Sequence, residues 1–292
     1  MSGSAIIGDW GNSRLRLWRL EGGRIAERRE GPGMAQTGDP AATLAGLLDS
    51  WDHKRVVLCG MAGARGGLRE TPYLDCPAGL EAWAREAAHF KLAGRDISVA
   101  AGLTGSNDNG RPDVMRGEET QIFGALALDP GLAVGQRLMV LPGTHSKWAR
   151  VTDGVVTGFT THMTGELFDL LGASTLSLAG DLVANDDDEG FTAGLARAED
   201  GTAFTSGLFE ARAAQLCAGK PPAWARGFVS GLLVGTEIGG GTLSGLDCVV
   251  LIGEPLLSTR YREALRRKGV EAVEMAGEEC AIAGLRLLDG RD

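Results

Sequence analysis

The sequence has no excess of positive charge. Its 292 residues contain 29 lysines and arginines against 38 aspartates and glutamates, which gives a formal net charge of −9. Non-specific binding to nucleic acid requires a basic face, so we expect no nucleic-acid partner. A few well-placed cations can still bind an anionic small molecule, because one arginine can hold a carboxylate or phosphate on its own.

Long apolar runs and paired cysteines are also missing. No stretch reaches the roughly 18 apolar residues of a membrane helix, so we expect no membrane partner. The first residues show no basic segment followed by an apolar run, so we expect no signal peptide and a cytoplasmic location. An odd number of scattered cysteines does not suit a disulfide framework, and we expect all of them to be structural. They are Cys59, Cys76, Cys217, Cys248 and Cys280.

Two common nucleotide-binding patterns are absent as well. The order Gly-x4-Gly-Lys-[Ser/Thr] of the Walker A loop does not occur, and no Gly-x-Gly-x-x-Gly opens a strand-to-helix turn. The first absence excludes a Walker-type loop, and the second weakens a dinucleotide-binding interpretation. Any nucleotide site in this chain must use another arrangement of glycines.

One arrangement occurs twice. Residues 6–18 and residues 138–150 each contain an apolar strand, a tight glycine turn with small polar residues, and a second strand. The two turn glycines, Gly11 and Gly143, lie a little under half the chain apart. Glycine allows backbone N–H groups to approach phosphate oxygens, while serine, threonine and asparagine add donors. The repeat therefore predicts a nucleotide-dependent phosphotransferase in which both turns bind phosphate.

The order of the remaining elements predicts an α/β fold, because strands alternate with helices. Short apolar runs at residues 55–60 and 96–101 are typical of strands covered on both faces. The acidic run at residues 186–189 favours a solvated loop over a metal site, since adjacent residues cannot all face one ion. We expect a loop over residues 102–117 and helices over residues 39–51, 79–92, 118–128, 190–198, 203–217, 222–238, 258–268 and 278–288.

The first turn offers a metal-binding carboxylate and phosphate donors. Asp9 follows the apolar strand, and Mg²⁺ prefers one or two carboxylates together with water and phosphate. The alternative is an aspartate that caps its own turn, which is common. The predicted phosphate ligands beside Asp9 are Gly11, Asn12, Ser13 and Arg14.

The second turn offers a second set of phosphate ligands, although an ordinary hairpin remains the alternative. Its glycine, hydroxyl and lysine groups suit phosphate, whereas the turn histidine is more often only a polar tip. The predicted ligands are Gly143, Thr144, His145, Ser146 and Lys147. Gly253 ends a later strand at a turn into a helix, where the chain could cover the adenine base.

Residues 113–119 form the third candidate cluster, at the junction of a loop and a helix. Asp113, Glu118 and Glu119 compete for the role of a base that accepts a proton from a substrate hydroxyl. Arg116 could bind a substrate carboxylate or steady the transferred phosphoryl group. The alternative explanation for glutamates in a first helical turn is their interaction with the helix dipole.

Four motifs together resemble the 2-dehydro-3-deoxygalactonokinases, within the superfamily of sugar kinases, Hsp70 and actin. The resemblance extends from about residue 5 to about residue 288. The motifs are Asp9-Trp10-Gly11-Asn12-Ser13-Arg14-Leu15-Arg16, Met115-Arg116-Gly117-Glu118-Glu119-Thr120-Gln121, Pro142-Gly143-Thr144-His145-Ser146-Lys147-Trp148 and Met163-Thr164-Gly165-Glu166-Leu167.

The resemblance implies a two-lobed, actin-like ATPase fold of the ribonuclease H type, with duplicated lobes around a central cleft. The implied lobes are residues 1–130 and 131–292, and the last helix would pack back on the first lobe. The implied reaction is phosphorylation of 2-dehydro-3-deoxy-D-galactonate at its 6-hydroxyl in galactonate breakdown, with ATP and Mg²⁺. The alternatives are a non-sugar ATPase and a non-catalytic sugar sensor of the same fold.

Overall fold

The structure is a computed structural model that describes residues 5–172, 184–201, 203–241, 243 and 248–289. The chain divides into two compact units. Unit 1 comprises Met1–Met139, Ala149–Thr160 and Met275–Asp292. Unit 2 comprises Val140–Trp148 and Thr161–Glu274. The lobe boundary expected near residue 130 stays a prediction.

Strands and helices alternate along the described residues, as the sequence predicts. The strands are β1 (Ala5–Trp10), β2 (Arg14–Glu21), β3 (Arg24–Pro32), β4 (Arg55–Gly60), β5 (Tyr73–Asp75), β6 (Ala88–Leu92), β7 (Arg95–Val99), β8 (Gly102–Ser106), β9 (Pro112–Met115), β10 (Gln136–Leu141), β11 (Ser146–Thr152), β12 (Val155–His162), β13 (Cys248–Gly253) and β14 (Glu271–Ala276). The helices are α1 (Pro40–Leu48), α2 (Leu80–Arg85), α3 (Glu118–Leu128), α4 (Thr164–Gly172), α5 (Ala184–Glu199), α6 (Phe204–Ala218), α7 (Pro222–Gly240), α8 (Pro255–Arg267) and α9 (Gly277–Asp289).

The first sheet has the strand order β3-β2-β1-β4-β7-β6. β1 runs antiparallel to β2 and parallel to β4, and β4 runs parallel to β7. Its central strands β1 and β4 are almost wholly buried because both faces are covered. Since β1 and β4 are parallel and in register, Asp9 lies beside Cys59 at their carboxyl ends, the edge at which α/β sheets bind ligands.

The second sheet repeats this topology. Its order, β12-β11-β10-β13-β14, matches β3-β2-β1-β4-β7 of the first sheet strand for strand. In each case the first three strands of the sheet follow one another along the chain, and the two strands added beside the first one come later. The repeat that the two glycine turns predict is therefore present in the fold, and the α/β, actin-like fold class is confirmed.

Helices α3 and α9 of unit 1 pack at backbone contact. A Cβ added at Gly124 would lie 1.8 Å from the Cys280 carbonyl oxygen, and one added at Gly284 would lie 2.0 Å from the Thr120 oxygen. These two positions need glycine because nothing larger than hydrogen fits between the helices. The contact fixes the position of α3, whose first turn carries the candidate base.

Two sequence expectations in unit 1 are wrong. The predicted helix over residues 79–92 ends at Arg85, and the chain continues as β6, antiparallel to β7. Alternating exposure along Ala88–Leu92 reflects a period of two, which overrides the helical pattern. The predicted loop over residues 102–117 contains β8 and β9, which pair as a hairpin, so its glycines and asparagines mark the turn between strands.

The acidic run also differs from expectation. Asp187 and its neighbours belong to α5 rather than to a solvated loop. A Cβ added at Gly190 would lie 2.0 Å from the Trp224 carbonyl oxygen of α7. Asp188 and Glu189 remain exposed on this helix, whereas the Asp187 carboxylate forms an ion pair with Arg260.

All five cysteines are free. Cys59 and Cys280 are buried, whereas Cys217 and Cys248 are exposed. Within the described ranges, no helix is both long enough and apolar enough to span a bilayer.

Candidate active site

Asp9 is the acidic residue at the first glycine turn. Its carboxylate accepts a hydrogen bond from Arg16 across the β1–β2 pair, with 2.6 Å between Nη2 and Oδ2. The Cys59 Sγ lies 3.7 Å from the other oxygen, Oδ1. The Asp9 side chain is 13% exposed. Burial, followed by the charge of Asp9, raises the pKa of the Cys59 thiol well above its usual value, so this thiol is inert.

The turn itself presents backbone donors to solvent. Gly11 N–H donates to the Arg14 carbonyl at 2.9 Å and closes the turn. In the described part of the chain, the N–H groups of Asn12 and Ser13 have no backbone acceptor, and both residues are exposed. A Cβ added at Gly33 would lie 2.1 Å from the Asn12 oxygen. Gly33 therefore packs closely against the backbone of the turn, on the side away from the exposed Asn12 and Ser13.

Two glycines with positive φ connect this turn to helix α3. Gly60, at the end of β4, has φ +73°, and Gly117, which precedes α3, has φ +113°. A Cβ on Gly60 would lie 3.4 Å from Asp9 Oδ1, and one on Gly117 would lie 3.3 Å from the Gly60 Cα. The first turn of α3 therefore lies next to Asp9 within unit 1.

The three predicted base candidates have different surroundings. Glu119 is fully buried, and both its carboxylate oxygens accept the Gly117 N–H, at 2.9 and 2.7 Å. Burial, with a smaller contribution from the Glu118 charge, raises the pKa of Glu119 to about 8. Glu118 is half-buried and accepts the Arg116 N–H at 3.1 Å. Asp113 lies on β9, and its carboxylate accepts the Val114 N–H at 2.8 Å.

Arg116 is held in one orientation. Its Nη2 donates to the Thr71 carbonyl at 3.0 Å, its Nη1 donates to the Thr71 hydroxyl, and its Nε approaches the Tyr73 hydroxyl at 3.4 Å. The guanidinium also lies over the Tyr73 ring at 4.2 Å. Within the described residues, these contacts use three of its five N–H groups, so two have capacity for a ligand.

The second glycine turn presents Gly143 and Thr144. A Cβ at Gly143 would meet no atom within 4 Å, and Thr144 is exposed. Among described residues, neither N–H group has a backbone acceptor. The Thr144 carbonyl accepts the Glu166 N–H of α4 at 2.9 Å. His145 follows, with its Nε2 2.5 Å from the Glu166 carboxylate.

Ser146 and Lys147 are buried rather than presented with the turn. The Ser146 hydroxyl lies 2.9 Å from the Tyr261 hydroxyl. Lys147 is 4% exposed, and its Nζ donates to the Thr161 hydroxyl at 3.0 Å. The side chains of these two residues therefore make their hydrogen bonds to other residues inside unit 2.

A cavity of about 440 Å³ opens beside the second turn, wholly within unit 2. Gly143 and Thr144 form one end, and the β13-to-α8 turn contributes Glu254. Gly253 lies behind this turn, where an added Cβ would be 3.5 Å from Pro142. Phe168, Leu233, Val234, Leu256 and Leu257 form an apolar wall, and charged side chains, among them Asp169, Asp187, Arg226 and Arg260, also line the cavity.

Two arginines of this cavity belong to no motif that the sequence analysis singled out. Arg260 pairs with Asp187 and donates to the Ser230 hydroxyl at 2.9 Å. Arg226 lies 5.7 Å from the Phe168 ring centre, and no hydrogen bond or ion pair joins it to another described residue. Both lie on helices, α8 and α7, with ordinary amphipathic sequences. Only the tertiary packing brings them together, so no local signal could have found them.

Comparison with known proteins decides the family. A sequence model of the family described as 2-keto-3-deoxy-galactonokinase matches residues 9–288. A protein of Rhizobium meliloti named as a probable 2-dehydro-3-deoxygalactonokinase is 41% identical, over 95% of this chain and 94% of that protein. The 2-dehydro-3-deoxygalactonokinase of Escherichia coli is 34% identical, over 98% and 97%. The chain belongs to the 2-keto-3-deoxy-galactonokinase family.

Solved structures agree with this assignment. A crystal structure from Sinorhizobium meliloti, described as a "putative 2-dehydro-3-deoxygalactonokinase protein", superposes with a TM-score of 0.88 at 39% identity, over 98% of this chain and 95% of that one. Component A of the (R)-2-hydroxyglutaryl-CoA dehydratase of Acidaminococcus fermentans superposes with a TM-score of 0.52 at 16% identity, over 99% of each chain. The second likeness concerns the fold alone.

Membership of the 2-keto-3-deoxy-galactonokinase family makes this chain a sugar kinase, a phosphotransferase with ATP as co-substrate and a small molecule as acceptor. The turns of Gly11 and Gly143 suit that chemistry, because each presents backbone donors without an internal acceptor. No group of three or more histidine, cysteine, aspartate or glutamate side chains that could hold a metal occurs in the described part of the chain. A single carboxylate such as Asp9 is what Mg²⁺ bound to phosphate requires.

Proposed function

We propose that this kinase phosphorylates 2-dehydro-3-deoxy-D-galactonate at its 6-hydroxyl with ATP, in the cytoplasm, as a step of galactonate breakdown. The support is the family match across residues 9–288, together with two relatives of that named activity that align along nearly the whole chain. The observation that carries the proposal structurally is the junction of Asp9, the Gly11 turn and the first turn of α3. It combines a metal-binding carboxylate, phosphate donors and a candidate base in one unit.

Each glycine turn is a phosphate ligand in this proposal. At the first turn, which the Gly11 N–H closes, the N–H groups of Asn12 and Ser13 and the side chains of Asn12, Ser13 and Arg14 bind phosphate. At the second turn the N–H groups of Gly143 and Thr144 and the side chains of Thr144 and His145 do so. Ser146 and Lys147 support the second turn from inside unit 2, since their side chains are buried. The nucleoside occupies the cavity of unit 2, where the β13-to-α8 turn and the apolar wall suit the adenine base.

Mg²⁺ fits the residues around Asp9. The Asp9 Oδ1 lies 3.7 Å from the Cys59 Sγ, which is a weak donor, so that oxygen keeps acceptor capacity for a metal-bound water. Arg16 neutralises the other oxygen and holds the side chain in place. A bound Mg²⁺ would neutralise phosphate charge, and Asp9 would orient it through its hydration shell.

Glu118 is the proposed base, because it is half-buried and stands in the first turn of α3, next to Asp9. It accepts the proton of the 6-hydroxyl while that oxygen forms a bond to the γ-phosphorus and the bond to the β-phosphate oxygen breaks. Asp113 lies one strand earlier, and Glu119 is sealed inside the unit. The two remaining N–H groups of Arg116 bind the sugar acid's carboxylate, and Thr71 and Tyr73 fix the guanidinium in advance.

The test is ADP release by the purified protein with ATP, Mg²⁺ and a panel of keto-deoxy sugar acids. The panel should include the galactonate and gluconate stereoisomers, because the proposal concerns stereochemistry as well as reaction type. Release that depends on the galactonate derivative supports the proposal. Hydrolysis of ATP without any acid indicates a non-sugar ATPase, and acid binding without ADP release indicates a sensor.

A further inference from the structure

One buried carboxylate of unit 2 collects three hydrogen bonds behind the second glycine turn. Glu237 lies on α7 and is only 3% exposed. Its Oε1 accepts the indole N–H of Trp148 at 2.7 Å. Its Oε2 accepts the Tyr261 hydroxyl at 2.7 Å and also the Thr164 hydroxyl. A buried glutamate is costly unless it is well bonded, and these three donors compensate that cost.

The three donors come from three different elements that flank the turn. Trp148 lies on β11, Thr164 begins α4 and Tyr261 lies on α8. Tyr261 gives its single hydrogen to Glu237, so its oxygen accepts from the Ser146 hydroxyl, 2.9 Å away. Glu237 is thereby connected, through one tyrosine, to the residue at which the turn enters β11.

Helix α4 transmits a second constraint to the same turn. A Cβ at Gly165 would lie 2.5 Å from the Gly143 oxygen and 2.8 Å from the Thr144 Cα. The next residue, Glu166, donates its N–H to the Thr144 carbonyl. Because Thr164 is fixed on Glu237, the start of α4 is fixed against the backbone of Gly143 and Thr144. The Gly143–Thr144 turn is therefore held on one side by Ser146, which reaches Glu237 through Tyr261, and on the other side by α4, which reaches Glu237 through Thr164.

We infer that Glu237 is a positioning residue for phosphate binding: it sets the backbone of the Gly143–Thr144 turn through Tyr261–Ser146 on one side and Thr164 on the other. This inference rests on the proposed role of the turn as a phosphate ligand. Glu237 itself touches no nucleotide, since its carboxylate is enclosed by its donors. Loss of the carboxylate should affect the phosphates of the nucleotide and leave the nucleoside contacts intact.

The test compares Glu237→Gln with wild type in binding ADP and AMP, measured by calorimetric titration. Glutamine keeps the size of the side chain but removes the charge and replaces one acceptor oxygen by a donor, so the Tyr261 and Thr164 hydroxyls must accept where they now donate, which reverses the Tyr261–Ser146 hydrogen bond. We expect the Kd of ADP to rise about tenfold, the size of effect that one lost buried hydrogen bond produces. The Kd of AMP should change by less than about twofold. In turnover, KM for ATP should rise while kcat and KM for the sugar acid change little.

Thr236→Ala is the matched control. Thr236 precedes Glu237 on α7, and its hydroxyl donates to the Leu232 carbonyl of the same helix, so this variant changes α7 without touching the network. It should bind ADP as wild type does. Glu237→Asp retains the charge and should recover part of the ADP affinity.

Tyr261→Phe covers the case in which Glu237→Gln fails to fold. It removes only the hydroxyl between Glu237 and Ser146, and it should weaken ADP binding more than AMP binding, non-additively with Glu237→Gln. Equal losses for ADP and AMP, or unchanged ADP binding in both variants, would overturn the inference and leave the proposed function intact. Wild-type protein that binds no ADP would instead contradict the proposed function, and this inference with it.

Discussion

Adjacent glutamates in the first turn of α3 have opposite environments. Glu118 remains half-buried, whereas Glu119 is enclosed and bonded to the Gly117 N–H. Burial raises the pKa of Glu119 to about 8, so the two neighbouring carboxyl groups are suited to distinct roles. At this scale the structure favours Glu118 for proton transfer and Glu119 for the geometry of the Gly117 turn.

Glu118→Gln should abolish most of the turnover. A general base contributes about 10²–10⁴-fold to the rate, so we expect kcat to fall by at least about 10² with KM for ATP little changed. Glu119→Gln should retain most of kcat, because glutamine resembles the neutral carboxyl present below pH 8. Steady-state kinetics of both variants and of Asp113→Asn measure the difference. Three similar, small losses would remove the assignment of a base to this cluster.

The raised pKa of Glu119 also predicts a pH dependence of stability. Its folded-state pKa of about 8 exceeds the ordinary 4.5, so the folded protein binds this proton more tightly than the unfolded chain does. The associated stability is fully present below about pH 4.5 and is lost as the pH rises through about 8. The free energy of unfolding of wild type, relative to Glu119→Gln, should therefore fall across this range in urea titrations. A difference that stays constant with pH would contradict the burial of an ionisable carboxyl here.

Asp9 should control the metal requirement. Asp9→Asn keeps the size of the side chain but removes the charge, so we expect half-maximal activity to need about tenfold more Mg²⁺. Asp96→Asn on β7 is the matched control, since Asp96 only pairs with Lys91 at the surface. Activity measured across a Mg²⁺ titration compares the two. An unchanged Mg²⁺ profile for Asp9→Asn would remove Asp9 from the metal role.

At the scale of elements, the α3–α9 contact has a sharp steric requirement. Gly124→Ala would place a methyl group 1.8 Å from the Cys280 oxygen, and such overpacking costs about 1–3 kcal/mol or more. Gly46→Ala on α1 is the control, because a Cβ there meets nothing within 4 Å and alanine favours a helix by about 0.5–1 kcal/mol. Thermal unfolding should show a lower Tm for the first variant and an equal or higher Tm for the second. Equal shifts in the two would contradict the close packing.

Elements with strong local signals could be predicted from the sequence, and the others could not. Helix α1 begins with Asp39, whose side chain accepts the Ala42 N–H, and with proline at its first position, which is a pattern readable without tertiary structure. Strand β6 was missed because residues 79–92 were taken as one helix, although Ala93 and Gly94, both with positive φ, form a two-residue turn that pairs β6 with β7. The acidic start of α5 was predicted as a loop, because the local composition gives no sign that Gly190 packs against α7.

For the whole molecule, the duplicated turn could be predicted because each copy is contiguous in sequence. Gly11 and Gly143 each lie between two strands of their own sheet, so a local pattern sufficed to find both. The cavity of unit 2 could not be predicted in the same way, since Arg226, Arg260 and Phe168 come from three helices. The chemistry of Ser146 was likewise hidden, because only the fold reveals that its hydroxyl turns inward to Tyr261.

The most direct test of the central claim is identification of the product. The purified kinase should be incubated with ATP, Mg²⁺ and 2-dehydro-3-deoxy-D-galactonate, and the phosphate position determined by phosphorus–proton coupling in NMR. We predict one new phosphate ester, coupled to the protons on carbon 6, formed in equal amount to ADP. Phosphate on another carbon, or ADP formed without any ester, would contradict the account.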